Sequence, residues 1–164
     1  MSETPWPKTH PFSTIWPKAP KAERHWLTAS DGVRLRVGLW PKDDAKGTVF
    51  ILPGRTECLE KYGRGAADLA ARGFASLAVD WRGQGIAERL LKDRRIGHVE
   101  DFQDYQKDLD AVIALAEEMA MPKPWFLIGH SMGGAIGLRA LIEGKPFHAA
   151  GFSAPMWGIG LTPV

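Results

Sequence analysis

From Glu23 onward, apolar and polar positions alternate in a way that predicts a regular succession of elements. "RHWLTASDGVRLRVGLW" reads as two short strands about Ser30-Asp31-Gly32, a hairpin turn signal. "GTVFILPG" is a continuous apolar run closed by Pro-Gly, as expected of a strand buried on both faces. Residues 57–72 carry apolar and small residues at helical spacing and stop at Gly73. "FASLAVD" is a second buried strand, followed by a long loop that begins "WRGQG". Residues 101–119 place Phe102, Tyr105, Leu109, Val112 and Leu115 along one helical face, with Asp101 as the cap. "PWFLIG" is a third buried strand, "MGGAIGLRALIEG" a helix ending at Gly144, and "FHAAGFSA" a fourth strand. A hairpin followed by alternating strands and helices predicts a doubly wound, mostly parallel α/β sheet with flanking helices. Ligands in such sheets bind beyond the carboxyl ends of the strands. Gly54 to Glu57, Asp80 to Gly85, Ser131 and Ser153 to Trp157 all leave strands at that edge.

Residues 1–22 break this pattern. Pro5, Pro7, Pro11, Pro17 and Pro20 block both helix and ladder formation, so the segment reads as an extended arm. Its Trp6, Phe12 and Trp16 are expected to lie against the domain surface. The spacing yields no proline-recognition repeat apart from Pro17-Lys18-Ala19-Pro20.

Composition narrows the classes. The 164 residues, 45% hydrophobic and 24% charged, suit one globular domain. A net charge of +2 makes no case for nucleic acid. The tightest basic cluster, Lys92-Asp93-Arg94-Arg95, reads as a solvated loop or helix end, contact with an anionic lipid or substrate being the alternative. The single Cys58 excludes an internal disulfide framework and has no Cys or His partners at metal-ligand spacing, so no metal or cofactor is expected. The N-terminus holds no signal-peptide core and no run reaches transmembrane length. The expected location is cytoplasmic, with a peripheral membrane contact left open.

"LIGHSMGGAIG" carries the chemistry. Gly129-His130-Ser131-Met132-Gly133 matches G-x-S-x-G, in which a tight strand-to-helix turn presents the serine and small flanking residues let strand and helix approach. Between a buried strand and a helix the pattern points to Ser131 as a nucleophile, against a plain helix N-cap. The helix behind it would lend the Met132 N–H to a developing oxyanion. A second donor is needed from the loop after "FILPG", and the Arg55 N–H is nearest.

These stretches, with "LPGRTECLEKYGRGAADLAARGFASLAVDWRGQG" and "VEDFQDYQKDLDAVI", resemble the monoacylglycerol lipase and lysophospholipase branch of the α/β-hydrolases, a serine aminopeptidase S33-like domain. That branch has His-Gly-x-x-Glu after its third strand, then a Tyr, and an Asp-x-x-Gly-x-Gly stretch after its fourth. This chain has Pro53-Gly54-Arg55-Thr56-Glu57, Tyr62 and Asp80-Trp81-Arg82-Gly83-Gln84-Gly85. Pro53 stands where the branch has His, and Gln84 where its second loop has His. The resemblance implies an ester or lipid substrate and brings Gly54 and Glu57 to the site; by position, His130 reads as a packing residue of the site beside the nucleophile and His98 as a loop histidine near the substrate mouth.

The triad order in this fold is serine, acid, histidine. After Ser131 come only Glu143 and His148, and neither fits. His148 begins the last strand, roughly 16 Å from its carboxyl end at ~3.3 Å per residue. Glu143 ends the helix that runs away from the elbow. His98 is the one conceivable substitute base. Asp80 is expected to brace the Gly-rich turn after it, and Asp104, Asp108 and Asp110 to be solvated helix charges. The resemblance implies that relatives continue with a helical cap and further strands carrying the acid and histidine. Residues 23–164 are therefore expected to be a partial hydrolase domain, the N-terminal half of the fold, whose partner is the missing C-terminal half. The leading reading is a serine hydrolase of carboxylic esters. The alternative is a catalytically incomplete module that binds a ligand or partner.

Overall fold

The computed structural model describes residues 22–159, so the proline-rich arm (but for Ala22) and the last five positions lie outside it. Six strands form one sheet: β1 (Glu23–Thr28), β2 (Arg34–Trp40), β3 (Thr48–Leu52), β4 (Ala75–Asp80), β5 (Trp125–His130) and β6 (Ala149–Ser153). Their order is β1-β2-β4-β3-β5-β6. The hairpin β1–β2 is antiparallel and β2 joins β4 antiparallel, while β4, β3, β5 and β6 run parallel. The expected alternation is present, and the carboxyl ends of four parallel strands share one edge.

Helices α1 (Gly63–Ala71), α2 (Asp104–Glu118) and α3 (Met132–Ile142) cover the two faces. α2 and α3 bury Tyr105, Leu109, Val112, Ile136 and Ala140 against Phe50, Leu77, Val79 and Leu127. α1 lies on the other face, with Ala66 against Val49, Ile51 and Ala78. β3 and β4 are buried along their whole length, as continuous apolar runs between two helical layers should be. Burial of these side chains, at about 25 cal/mol per Å2 of apolar surface, is the main driving force for the sheet.

The structure revises several details. The helix read over 57–72 is split into a 3-10 turn at Leu59–Tyr62 and α1, because the backbone at Leu59 is diverted to donate to the Asp80 carboxylate. The buried face of α2 includes Ala116, while Phe102 is 40% exposed ahead of the helix. Asp101 is not the cap: α2 begins at Asp104 with Gln103 at its N-cap, and Asp101 lies in the preceding turn, where its Oδ1 accepts the Gln103 N–H and Asp104 accepts the Asp101 N–H. β5 is not buried on both faces; Ile128 is open, because no described helix covers that side of β5.

The last correction concerns charge. Asp108 is not solvated but fully buried, paired with the equally buried Arg82 at 2.7 Å. Arg82 also reaches Asp31 at 2.8 Å and Asp104 at 3.6 Å. This cluster ties the β1–β2 turn, the loop after β4 and α2 together. A matching pair braces the sheet, where Arg36 bonds Asp80 and Glu60. Asp80 further accepts the Ile86 N–H, which is the expected bracing of the turn after β4. Of Asp104, Asp108 and Asp110, only Asp110 lies in solvent, paired with Lys145. No described helix is long and apolar enough to cross a membrane.

Candidate active site

Ser131 sits between the end of β5 and the start of α3, with φ 49° and ψ −118°. An L-residue pays steric energy in this region, and such strain collects at functional turns. The glycines of the motif explain how the turn closes. A β-carbon at Gly133 would overlap the Leu52 carbonyl, and one at Gly129 would lie 2.7 Å from the Gly133 oxygen. Only hydrogen fits at either position. The backbone around Ser131 is further held by the strand exit of β6: its N–H donates to Ser153 O at 3.1 Å, and its carbonyl accepts the Met156 N–H at 2.9 Å.

The loop after β3 approaches from the other side. A β-carbon at Gly54 would lie 3.1 Å from Ser131 Cβ. Three of its backbone groups have partners from neighbouring side chains. Trp81 Nε1 donates to Pro53 O at 3.0 Å, the Gly54 N–H to Glu57 Oε2 at 2.7 Å, and the Thr56 N–H to Gln84 Oε1 at 2.8 Å. The Arg55 and Met132 N–H groups find no acceptor among the described residues. Two backbone donors on adjoining turns, one at a helix start, are the elements of an oxyanion hole.

Glu57 is the hub beneath the loop. Its carboxylate also accepts from Tyr62 Oη and Lys61 Nζ, and His130 Nε2 lies 3.8 Å away. Burial disfavours its ionisation, but the bonds from Lys61, Tyr62 and Gly54 outweigh that and hold its carboxyl below the ordinary range. The same burial, with the Glu57 charge beside it, pushes the Tyr62 hydroxyl up. His130 is fixed at its other nitrogen, Nδ1 lying 3.0 Å from Ser153 O. It therefore bridges the β3 loop and the β6 exit instead of addressing the nucleophile. Cys58 is buried, its thiol pushed up to about 12 by desolvation and by the Asp80 and Glu60 charges, which leaves it inert at neutral pH.

The remaining sequence candidates lie elsewhere. The ring of His98 pairs with Glu100 at 3.1 Å, and its backbone crosses the turn at Gly83. His148 opens β6, where its N–H donates to Trp125 O at the amino end of β5. Glu143 closes α3 and pairs with Arg139. Among the described residues, no histidine or carboxylate hydrogen-bonds the Ser131 hydroxyl, and no group of three or more His, Cys, Asp or Glu could hold a metal. Sequence reasoning missed Trp81 as a support of the loop and gave Gln84 no role. The signal was available: both follow β4 directly, at the edge where the β3 loop also emerges.

Comparison with known proteins agrees with this geometry. Residues 43–164 match the family described as serine aminopeptidase, S33. Lysophospholipase L2 of Escherichia coli strain K12 is 36% identical over 154 residues, covering 91% of this chain and 43% of that protein. Monoglyceride lipase of Rattus norvegicus is 32% identical over 126 residues, 76% of this chain and 40% of the relative. A soluble variant of Saccharomyces cerevisiae monoglyceride lipase, solved with a substrate analogue, superposes with a TM-score of 0.63 at 22% identity, over 92% of this chain and 47% of that one. The α/β-hydrolase GrgF of Penicillium gives 0.69 at 22% identity, over 84% and 46%. The chain thus spans less than half the length of these relatives. With the elbow, the facing loop and the parallel sheet in place, the chain belongs to the serine aminopeptidase S33 family of α/β-hydrolases.

Proposed function

We propose that this chain carries the nucleophile half of a serine hydrolase acting on carboxylic esters of lipids, lysophospholipids or monoacylglycerols. The observation that carries the reading is the left-handed backbone of Ser131 at the β5–α3 turn, with Gly54 of the facing loop against it. Ser131 Oγ attacks the ester carbonyl, and the N–H groups of Arg55 and Met132 stabilise the oxyanion that forms. Gly54, Glu57 and His130 shape that loop and the floor of the site; His98 stands in the loop after β4. The base that activates Ser131, and the acid that orients it, come from chain beyond these 164 residues, as the length of the relatives suggests. No cofactor enters this scheme. The site works in the cytoplasm, with at most a peripheral membrane contact for lipid access.

A second reading is favoured by one observation, the absence of a base at the Ser131 hydroxyl among the described residues. On that reading the isolated chain binds a ligand or partner without turnover.

Two assays separate them. The isolated chain, with no base at Ser131, is expected to hydrolyse p-nitrophenyl esters only weakly and to take a fluorophosphonate probe slowly, at Ser131. Turnover at ordinary hydrolase rates, lost in Ser131→Ala and in His98→Ala, would instead make His98 the base. Labelling that persists in Ser131→Ala would sink the nucleophile. Hydrolysis of amino-acid p-nitroanilides in preference to esters by the longer protein would transfer the site to peptides.

A further inference from the structure

Gln84 occupies a place that packing alone does not explain. It is 2% exposed, yet its amide nitrogen has no partner at normal hydrogen-bond distance, and neither has the buried hydroxyl of Tyr105. An apolar side chain would fill the same space without an unpaired buried donor, whose desolvation is unfavourable. The segment at 97–98 closes over it: a β-carbon at Gly97 would lie 2.5 Å from Gln84 Nε2. What Gln84 does use is its oxygen, which accepts the Thr56 N–H at 2.8 Å. Thr56 is a β-branched residue held at φ 62°, a conformation that needs outside support. The peptide before it belongs to Arg55, and the Thr56 hydroxyl takes up the Arg55 carbonyl at 2.6 Å.

We propose that Gln84 is a positioning residue for the oxyanion hole: by anchoring the Thr56 N–H it keeps the β3 loop turned so that the Arg55 N–H stays free and directed to the Ser131 turn. The inference rests on the Ser131 and Arg55 reading given above. It assigns a role to a residue of the loop after β4 that touches no reacting atom.

The test uses the full 164-residue chain and two substitutions. Gln84→Met keeps length and removes the acceptor. Gln84→Glu keeps the acceptor and places its second oxygen toward the Tyr105 hydroxyl. Amide hydrogen exchange at Thr56 is expected to accelerate at least tenfold in Gln84→Met, and Ser131-dependent fluorophosphonate labelling to slow by about tenfold, less than loss of a whole oxyanion donor. Gln84→Glu, which keeps the acceptor, restores Thr56 exchange to within about threefold, a rescue that simple space-filling would not give. If Gln84→Met does not fold, Gln84→Asn, which shortens the reach by one methylene, is read in its place. Unchanged Thr56 exchange, or unchanged labelling, in a folded variant without the acceptor overturns the proposal while leaving the nucleophile intact. Labelling that does not depend on Ser131 overturns the nucleophile reading and the role of Gln84 with it.

Discussion

At Ser131 the backbone stores strain that comes from the β-carbon and that a glycine would relieve. Ser131→Gly is therefore expected to stabilise the fold by about 1–2 kcal/mol relative to Ser131→Ala, the cost of a left-handed L-residue. Equal urea midpoints for the two variants would remove strain from the account. Glu57 sets a second expectation. The folded state holds its carboxyl below the ordinary 4.5, so the stability it contributes is complete above that pH and is lost as pH falls through the lower, folded value. Glu57→Gln should lose about 1–2 kcal/mol near pH 7, in line with charge-assisted hydrogen bonds. The gap to the parent should narrow below pH 4.5, and a gap constant with pH would show that the charge is idle. Both residues stood out in the sequence, Ser131 through G-x-S-x-G and Glu57 through the resemblance of the loop after β3 to the hydrolase branch. The partners of Glu57 were not legible, because Lys61, Tyr62 and His130 converge on it only in three dimensions.

Elements here are joined by packing so close that single carbons matter. Gly133→Ala would press a methyl into the Leu52 carbonyl of β3 and separate α3 from the sheet; a loss of about 3 kcal/mol, at the upper end of overpacking effects, is expected in urea unfolding. Gly65→Ala in α1 meets nothing within 4 Å and should instead gain about 0.5–1 kcal/mol from helix propensity. Reversal of that order would contradict the approach of α3 to β3. The buried Arg82 cluster joins elements by charge. Asp108→Ala leaves Arg82 without its closest carboxylate, and a loss of about 3 kcal/mol is expected, with Asp31 retaining part of the pairing. On the sequence Asp108 looked like any helix acid, since helical periodicity does not say which polar position faces a buried arginine from another loop. The positions of β3 and β4 were readable for the opposite reason. Their centres, Val49–Leu52 and Leu77–Val79, are unbroken apolar runs, the pattern of strands covered on both faces.

Taken whole, the sheet has two edge strands among the described residues, β1 and β6. β6 pairs only with β5 among the described residues, and exposed apolar side chains gather on elements at that end: Ile128 of β5, Ile142 of α3 at 74%, and Trp157 after β6 at 58%. Open strand edges and contiguous apolar surface drive association. The isolated chain should accordingly self-associate at micromolar concentration in sedimentation, and Ile142→Lys with Trp157→Lys should shift it toward monomer; a monomeric parent would show that this end is tolerated in water. The order of elements, the buried strands, the site edge and the serine were set by the sequence alone, because hydrophobic periodicity and the glycines of a tight turn are local properties of the chain. Which N–H groups remain free for an oxyanion, which acids are buried, and what holds Ser131 and Arg55 in register were decided only by the tertiary structure. Those properties depend on groups far apart in sequence, such as Trp81 with Pro53 and Gln84 with Thr56, that meet when parallel strands bring their loops to one edge. "LIGHSMGGAIG" marks Ser131 as the candidate nucleophile, and the fold sets the proposed donors, the Arg55 and Met132 N–H groups, on the turns beside it.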